Sequence, residues 1–406
     1  MTTDVLIVGQ GICGTFLHLE LERAGLSCVV IDEERPFTAS RAAAGLINPV
    51  TGRRIVKAWM IDELLPFAQE AYREMGERLG AGGGSGVGDG VGAGGGFGAG
   101  DGSGAGTGAS FMRPVSLVDF FPTAQMRLAF LKRFEEDPQY LRLPEDEHAW
   151  DAGFRYELGY GLIGPCWLVD MPGLLGAARR RMKERGVLRE ERFTLEELQI
   201  DESVIYRDVH ARWIIFCDGM ESFTNPYFSR LPFAPNKGEV LIVEIPGLAG
   251  VAGAAAGAGG AGRAGAAAGG VTEAGAGQAV FKKGISLVPW KEGLYWVGSS
   301  YEWSFTDAAP TAAFRQRTEA VLAEWLRLPF RTVEHFASVR PATLERRPFV
   351  GLHPVHPAVG ILNGMGTKGC SLAPYFARQL VQRLSKGVAI QADADILRFR
   401  KVLSRG

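Results

Sequence analysis

Cysteine is scarce in this sequence, with five residues among 406 and none of them in a C-x-x-C pair. Paired cysteines would be expected in a structural zinc site or a small disulfide framework, so the sequence favours neither. Histidine is also rare, and the H-x-x-H pattern of His353 and His356 stands between prolines without a third ligand nearby. We therefore predict that the protein has no metal site.

The sequence also lacks an excess of charge and a long apolar run. Its formal net charge is −1, which argues against nucleic acid or an anionic membrane surface as a partner. No apolar segment approaches the ~18 residues of a transmembrane helix, and the first apolar strand begins at Asp4, which leaves no room for a secretory signal. These absences predict a cytoplasmic protein without a transmembrane segment or a nucleic-acid partner.

The N-terminal segment carries the most specific pattern. An apolar strand ends in a Gly-x-Gly-x-x-Gly loop, a helix follows, and a second apolar strand ends at Asp32, 18 residues beyond the last glycine (32 − 14). In a dinucleotide-binding βαβ unit the glycines allow a tight turn, close approach of a diphosphate and close helix packing, and the acid binds a ribose. The segment therefore predicts cofactor contacts from Gly9, Gly11, Ile12, Cys13, Gly14 and Asp32.

The segment after Asp32 is rich in small residues and is predicted to open a helix. Ser40 is a candidate cap for that helix, and Arg41 is a candidate partner for a phosphate. Residues 53–57 then contain three cations. A solvent-exposed basic surface is an equally good interpretation of those three.

Two later strand ends are typical of ligand-binding edges in α/β sheets. A strand at 211–218 stops at Gly219, where a dinucleotide can meet the sheet, although a buried strand that ends in a turn is an alternative. The glycines after a strand at 359–362 open a helix whose N-terminus attracts anions, and Lys368 adds a positive charge there. We therefore add Gly219, Gly366 and Thr367 to the predicted cofactor contacts.

Two glycine-rich tracts, 80–110 and 248–278, interrupt the chain. Such compositions do not bury enough apolar surface to offset their backbone entropy, so we predict flexible insertions. The remaining pattern predicts helices near 61–78, 123–134, 168–185 and 371–385, and strands near 191–206, 211–218, 238–244, 285–299 and 359–362.

Four blocks make the sequence similar to the D-amino-acid oxidase superfamily of FAD enzymes, which includes glycine oxidase, sarcosine oxidase and D-amino-acid dehydrogenase. They are residues 9–41, 235–239 and 287–302, and Arg340-Pro341 followed by Gly364-x-Gly366-x-Lys368. The resemblance covers almost the whole chain outside the glycine-rich tracts. It implies an α/β fold in which a Rossmann-like FAD-binding domain, built from discontinuous segments, carries an inserted, mostly antiparallel α+β substrate domain.

The resemblance also implies domain boundaries. The FAD-binding domain is expected in residues 1–79, 161–225 and 336–406. The substrate domain is expected in residues 111–160 and 226–335, with the tract 80–110 as an insertion before it and the tract 248–278 within it.

The chemistry that the resemblance implies is oxidation of the C–N bond of an amino acid or secondary amine by hydride transfer to FAD. Arg340 and Lys368 match the cations with which family members bind the substrate carboxylate, and no general base is assigned. Arg54 and Lys57 match cations of an early loop in sarcosine oxidases. No cysteine lies near Arg340, where sarcosine oxidases attach flavin, so non-covalent FAD is expected.

The identity of the amine and of the electron acceptor, oxygen or a quinone, stays open. Ser286 and Met365 replace a tyrosine and a histidine of family members, which puts the substrate in doubt. Alternatives are an FAD-dependent enzyme that oxidises an amine on a tRNA base, a nicotinamide-dependent dehydrogenase, and a flavin-binding protein without turnover. The near-neutral charge argues against RNA, and the later sequence blocks argue against nicotinamide.

Overall fold

The structure is a computed structural model that describes residues 1–80, 110–201, 203–258 and 279–405. Its strands are β1 (Thr2–Val8), β2 (Cys28–Ile31), β3 (Leu46–Ile47), β4 (Val50–Thr51), β5 (Val56–Lys57), β6 (Met112–Phe120), β7 (Leu141–Arg142), β8 (Tyr160–Val169), β9 (Leu188–Arg189), β10 (Leu198–Ile200), β11 (Val204–Tyr206), β12 (Val209–Phe216), β13 (Asn236–Glu244), β14 (Ala279–Lys283), β15 (Ile285–Lys291), β16 (Leu294–Gly298), β17 (Arg331–Arg340), β18 (Phe349–Leu352) and β19 (Val359–Asn363). Its α-helices are α1 (Ile12–Arg23), α2 (Ile61–Leu79), α3 (Ala124–Glu136), α4 (Met171–Glu184), α5 (Leu248–Ala258), α6 (Ala312–Trp325), α7 (Gly369–Lys386) and α8 (Arg400–Leu403).

The first sheet is centred on four parallel strands in the order β2, β1, β12 and β19. Strand β9 pairs in parallel with β2, and β10, β11 and β18 add antiparallel strands on the other side. Residues 5–8 of β1 are apolar and buried, as expected for a parallel strand that is covered on both faces. Because the four central strands are parallel, their carboxyl ends lie at one edge of the sheet.

Helices cover one face of this sheet, and aromatic side chains cover the other. Val5 and Ile7 of β1 belong to the same apolar core as the buried side chains of α1, α2, α4 and α7. Leu6 and Val8 point the opposite way, because successive strand residues alternate between faces, and they pack with Tyr206, Phe216, Phe228 and Phe349. This packing fixes α1 directly behind the end of β1.

The second sheet has the strand order β17, β13, β16, β15, β14, β6, β8 and β3, with β7 paired to β8. Its pairs are antiparallel except for β14 with β6. On β13, Val240 and Ile242 face the core that contains α1 and α7, whereas Leu241 and Val243 face a separate core with α6. The inner face of this sheet is therefore turned toward the helices of the first sheet.

The strand pairing differs from the predicted segment boundaries at two places. The predicted FAD-binding segment 161–225 begins inside β8, which pairs with β6 and β3 of the second sheet. The predicted segment 336–406 begins inside β17, which pairs with β13 of the same sheet. A strand joins a sheet through its hydrogen-bonded partner, and the sequence pattern of a strand does not identify that partner.

Three local predictions are wrong. The helix predicted from residue 168 begins at Met171, because Asp170 caps it by accepting a hydrogen bond from Gly173 N at 3.0 Å. The residues between β2 and α2 form turns and short strands rather than a helix. The strand predicted at 191–206 contains a 3-10 turn at Leu195–Glu197, and among its described residues β10 and β11 form the paired strands.

The tract 248–278 is also not a flexible loop throughout, because its first residues form α5. Leu248 and Ala252 are buried in the core behind the second sheet. That burial supplies the stabilisation that the glycine- and alanine-rich composition seemed to lack. Residues 259–278 of this tract, and residues 81–109 of the other, lie outside the described residues. Within the described ranges, no helix is both long and apolar enough to cross a membrane.

Candidate functional site

A cavity of about 2230 Å³ lies between the carboxyl edge of the first sheet and the inner face of the second. Pockets for drug-sized ligands are typically about 300–1,000 Å³, so this cavity has room for a dinucleotide together with a small substrate. The predicted site residues that line it are Gly9, Gly11, Ile12, Cys13, Asp32, Ser40, Arg41, Gly219, Arg340, Gly366, Thr367 and Lys368. Their contacts with a cofactor or substrate stay predictions.

The glycine loop brings the N-terminus of α1 against the end of β1. Gly9 has a φ of +97°, and a Cβ at this position would lie 2.6 Å from the carbonyl oxygen of Cys217. Gly14 does not line the cavity, but a Cβ there would lie 1.9 Å from the carbonyl oxygen of Gly9. Gly14 is therefore required for the close approach of α1 to the end of β1, and Gly9 for the close approach of the loop to the end of β12. The helix N-terminus that results is suited to an anion.

Ser40 has a different partner from the one predicted. Its Oγ accepts a hydrogen bond from Ile12 N at 3.0 Å, so it caps α1 rather than a helix of its own. Arg41 lines the cavity next to Ser40 and forms an ion pair with Glu34 at 3.5 Å. A hydroxyl acceptor and a cation thus lie beside the helix N-terminus, where a phosphate oxygen would accept the same N–H.

Asp32 is held by several donors at the end of β2. Its carboxylate accepts hydrogen bonds from Gln10 N and Glu34 N, each at 2.9 Å. Nη1 of Arg179 donates to the same carboxylate at 2.8 Å. Arg179 is 4% exposed and also contacts Glu190 at 2.8 Å. Sequence reasoning missed Arg179, because it lies on α4 and meets Asp32 only through the fold.

Asn363 connects the two other strand ends that the sequence predicted. Its Nδ2 donates to the carbonyl oxygen of Gly219 at 2.8 Å and to Ser222 Oγ at 3.0 Å. Its Oδ1 accepts a hydrogen bond from Gly364 N at 2.8 Å. The turn after β12 and the glycine loop after β19 are therefore fixed to each other at the cavity wall.

Arg340 lies on the inner face of the second sheet in a pocket of neutral groups. Its Nη1 donates to Asn236 Oδ1 at 2.6 Å and to the carbonyl oxygen of Ser300 at 3.3 Å. Its Nη2 donates to Ser299 Oγ at 2.7 Å, and the ring of Tyr301 lies 4.8 Å from the guanidinium carbon. Burial lowers the pKa of Arg340, and no carboxylate among the described residues offsets that effect.

The donor count of Arg340 leaves room for a ligand. A guanidinium has five N–H donors, and the described residues accept three hydrogen bonds from it. The Nε hydrogen and one Nη2 hydrogen remain, and two such donors suit the two oxygens of a carboxylate.

Gly238 allows the guanidinium to lie against strand β13. A Cβ at Gly238 would stand 1.8 Å from Nη2 of Arg340. The neighbouring Glu239 exchanges backbone hydrogen bonds with the segment that holds Arg340, since Glu239 N donates to Ser300 Oγ at 2.9 Å and Ser300 N donates to Glu239 O at 3.3 Å. The buried carboxylate of Glu239 in turn accepts hydrogen bonds from Thr311 and His335. The block 235–239 thus builds the arginine pocket.

Lys368 lies on the segment next to Arg340. Gly366 N donates to the carbonyl oxygen of Pro341 at 3.3 Å, which joins the glycine loop to the residue after Arg340. Burial and the nearby Arg347 and Arg346 lower the pKa of Lys368. Among the described residues, no hydrogen-bond acceptor or acid contacts its ammonium group. The two predicted cations therefore lie on adjoining segments of the same cavity wall.

The early-loop cations separate in the structure. Lys57 does not line the cavity, because its ammonium group contacts Asp137 at 2.9 Å and Gln139 at 2.5 Å. Arg54 is exposed and does line the cavity. The sequence did not reveal that Lys57 is paired, because its partner Asp137 lies 80 residues further along the chain (137 − 57).

The described residues fit FAD. The glycine loop leaves space that a side chain at Gly11 would take from the cavity. The helix N-terminus provides N–H donors for a diphosphate, and Asp32 provides a carboxylate acceptor for a ribose. The small residues 42–45 line the next part of the cavity, where Trp296 Nε1 donates to Ala42 O at 3.0 Å.

Several solved structures share this architecture. Glycine oxidase from Geobacillus kaustophilus matches with a TM-score of 0.69 and 17% identity, covering 100% of this chain and 99% of that chain. Iminodiacetate oxidase from Chelativorans sp. matches with a TM-score of 0.67 and 19% identity, covering 96% and 97%. L-proline dehydrogenase from P. horikoshii matches with a TM-score of 0.66 and 14% identity, covering 98% of each chain. At these identities the likeness establishes the fold.

The family is established by sequence. The model of the family described as DAO, FAD dependent oxidoreductase, matches residues 4–383. This match and the shared architecture confirm the predicted α/β fold class, the FAD cofactor and the oxidoreductase class. The chain therefore belongs to the DAO family of FAD-dependent oxidoreductases.

Proposed function

We propose that this enzyme oxidises the C–N bond of an amino acid or an N-substituted amino acid, and that Arg340 and Lys368 bind the substrate carboxylate. The observation that carries the proposal is the state of Arg340, a half-buried cation among neutral partners with two donors left over. A carboxylate would supply both the missing charge and the missing acceptors.

FAD, when bound, supplies the two-electron acceptor for the C–N bond. The task of the chain is to bind the carboxylate. The ring of Tyr301 lies 4.8 Å from the guanidinium carbon of Arg340. Phe37 stacks on Phe336 elsewhere on the cavity wall, with ring centroids 5.6 Å apart.

Lys368 has two possible roles that experiment can separate. As a second carboxylate ligand it would act on substrate affinity. As a cation at the N-terminus of α7 it would instead stabilise negative charge on the reduced cofactor. Its lowered pKa, caused by burial and two neighbouring arginines, is compatible with either role.

The test replaces each cation by methionine. Loss of a charged hydrogen bond costs about 1.5–3 kcal/mol, so Arg340→Met should weaken binding of an amino-acid substrate by about 10- to 150-fold. FAD content and the flavin spectrum should stay unchanged. The exposed Arg53→Met, which removes a cation elsewhere on the cavity wall, serves as the matched control and should have little effect.

The measurement is anaerobic bleaching of the flavin by glycine, sarcosine, other N-alkyl glycines and a set of D- and L-amino acids. If Arg340→Met reduces turnover with none of these substrates, the carboxylate assignment is wrong. For Lys368→Met, a shift in the flavin potential with unchanged substrate affinity would assign the lysine to the cofactor.

We also propose oxygen or a quinone as the electron acceptor and the cytoplasm as the location. The five free cysteines, none of which forms a disulfide, support the second proposal. Mixing the substrate-reduced enzyme with dissolved oxygen or with a soluble quinone tests the first, since the physiological type of acceptor should reoxidise the flavin faster. Cell fractionation tests the second, and recovery of the enzyme in a membrane or secreted fraction would contradict it.

A further inference from the structure

Asp218 is an acid in an unusual place for this cofactor. It stands two residues after the end of β12 and lines the cavity beside the glycine loop. A Cβ at Gly9 would lie 3.1 Å from the Cα of Asp218, so the acid adjoins the turn that precedes the diphosphate-binding helix N-terminus. A carboxylate at this position would lie close to the negative charge of a bound diphosphate.

The carboxyl group is held in place by neutral donors. Ser222 Oγ donates to Oδ1 of Asp218, and Asn363 Nδ2 lies 3.4 Å from the same oxygen. Since both side-chain donors contact Oδ1, a proton on this group resides on Oδ2. Burial raises the pKa of Asp218 to about 7, with a smaller contribution from the nearby Glu221.

The charged groups around Asp218 do not neutralise it. Arg35 contacts Glu33 at 2.5 Å and also Glu221, and Arg41 contacts Glu34. At the end of β2, Asp32 adds a further carboxylate to the same cavity wall. Cys13 on α1 and Cys217 just after β12 are neutral thiols, because burial raises the pKa of each. Among the described residues, no cation contacts Asp218.

We propose that Asp218 is a cofactor-binding residue that carries a proton when FAD is bound, so that FAD binding is coupled to proton uptake. In its neutral form the group donates a hydrogen bond toward the anionic part of the cofactor. In its ionised form it repels the same charge in a poorly solvated site. This inference rests on FAD binding and is independent of the substrate.

The coupling has a definite sign. The negative charge of bound FAD lies near Asp218 and raises the pKa of Asp218 above its value in the FAD-free protein. Between these two pKa values the bound form holds a proton that the free form has lost. FAD affinity should therefore be constant below about pH 7 and fall by up to about 10-fold per pH unit above it.

The experiment measures FAD release from the holoenzyme. The protein is diluted at pH values from 6 to 9, and released FAD is followed by its fluorescence at equilibrium. We expect the wild type to lose affinity above pH 7 and Asp218→Asn to bind FAD equally well from pH 7 to pH 9. Glu221→Gln, which removes the adjacent acid but keeps Asp218, is the matched control and should retain the wild-type slope.

Three outcomes would overturn the proposal. They are an unchanged wild-type affinity from pH 6 to pH 9, an equal slope in Asp218→Asn, and failure of folded Asp218→Asn to retain FAD at pH 6. If that variant does not fold, the wild type alone decides through proton exchange. An indicator dye at pH 8 should report release of up to one proton per FAD released, and no proton change would refute the coupling.

Discussion

The two sides of the cavity present their ligand-binding groups by different means. On the side of the first sheet, the backbone and short side chains at the ends of β1 and β12 form the surface, and glycines keep it open. On the side of the second sheet, a long side chain, Arg340, crosses the strand surface and is held by Asn236 and Ser299.

The difference lies in how far apart the cooperating residues stand in the chain. Gly14 packs against the carbonyl group of Gly9, which lies only five residues earlier in the chain. Arg340 and Asn236 are 104 residues apart and meet because β17 pairs with β13 in one register. The residues that form the backbone site are therefore close together in the sequence, whereas the side-chain site depends on which strands pair. Substitutions on one side of the cavity should have effects that can be measured separately from those on the other side.

The largest effect is expected for Gly14→Ala on the first side. The added methyl group would stand 1.9 Å from the carbonyl oxygen of Gly9, so α1 must move away from β1. Overpacking of this kind costs about 1–3 kcal/mol of stability, and the shifted helix N-terminus should no longer retain FAD. The ratio of flavin to protein absorbance measures retention, and denaturant unfolding measures stability.

Gly176→Ala is the matched control for this change. The added methyl group lies on α4 and meets only the end of the Arg180 side chain, at 3.8 Å. It should leave FAD content unchanged and stabilise the helix slightly, because alanine is the better helix former by about 1 kcal/mol. Full FAD content in Gly14→Ala would show that helix and strand separate without harm.

A smaller effect is expected for Gly238→Ala on the second side. The methyl group would displace the Arg340 guanidinium, whose Nη2 lies 1.8 Å from that position. The side chain is flexible, so the fold and the FAD content should survive. Substrate binding should weaken by about 10- to 150-fold, as for loss of a charged hydrogen bond. Combining Gly238→Ala with Arg340→Met should add little further loss, and additive losses would contradict the assigned role of the glycine.

The smallest effect is expected for Lys282→Met, which changes the second sheet away from the arginine pocket. Lys282 contacts the buried Asp119 at 2.8 Å and offsets part of the burial that raises the pKa of Asp119. Without the lysine that pKa rises further, so the variant should lose about 1 kcal/mol at pH 8. This loss is smaller than the roughly 3–5 kcal/mol expected for a fully buried pair, because the lysine side chain is 22% exposed.

The pH dependence of this variant has a fixed sign. A carboxyl group whose pKa is higher in the folded state than in the unfolded state destabilises the fold only when it is ionised. The deficit of Lys282→Met should therefore shrink as pH falls from 8 toward 4. The double variant with Asp119→Asn should recover most of the stability. A deficit that is equal at both pH values would mean that the lysine acts through its apolar stem.

Short-range patterns predicted much of the molecule. One cavity is lined by Gly9 and Gly11 of the glycine loop, by Asp32, and by Gly219 and Gly366 after β12 and β19, as expected from their positions at strand ends. This succeeded because a βαβ unit is a local arrangement, and because parallel strands present their carboxyl ends at a common edge. The resemblance to a family also identified the later sequence blocks, which occur in the order that the family has.

Long-range contacts account for the failures. The partner of Ser40 is Ile12 and that of Lys57 is Asp137, and Arg179, which holds Asp32, was missed. In each case the neighbouring sequence suggested one role for the side chain, whereas in the fold the side chain contacts a residue that is distant in the sequence. Helix α5 likewise forms where the composition predicted a flexible loop, because Leu248 is buried in the core behind the second sheet.

The dinucleotide-binding βαβ unit thus followed from local sequence, since turn geometry and strand alternation act over a few residues, and the resemblance to a family implied FAD. Local sequence did not determine the sheet to which β8 and β17 belong, the pocket of Arg340 or the position of Asp218 beside the glycine loop. They depend on which strands pair and on how the two sheets face each other. Those choices are made by burial of apolar surface across the whole chain, and no single segment contains them.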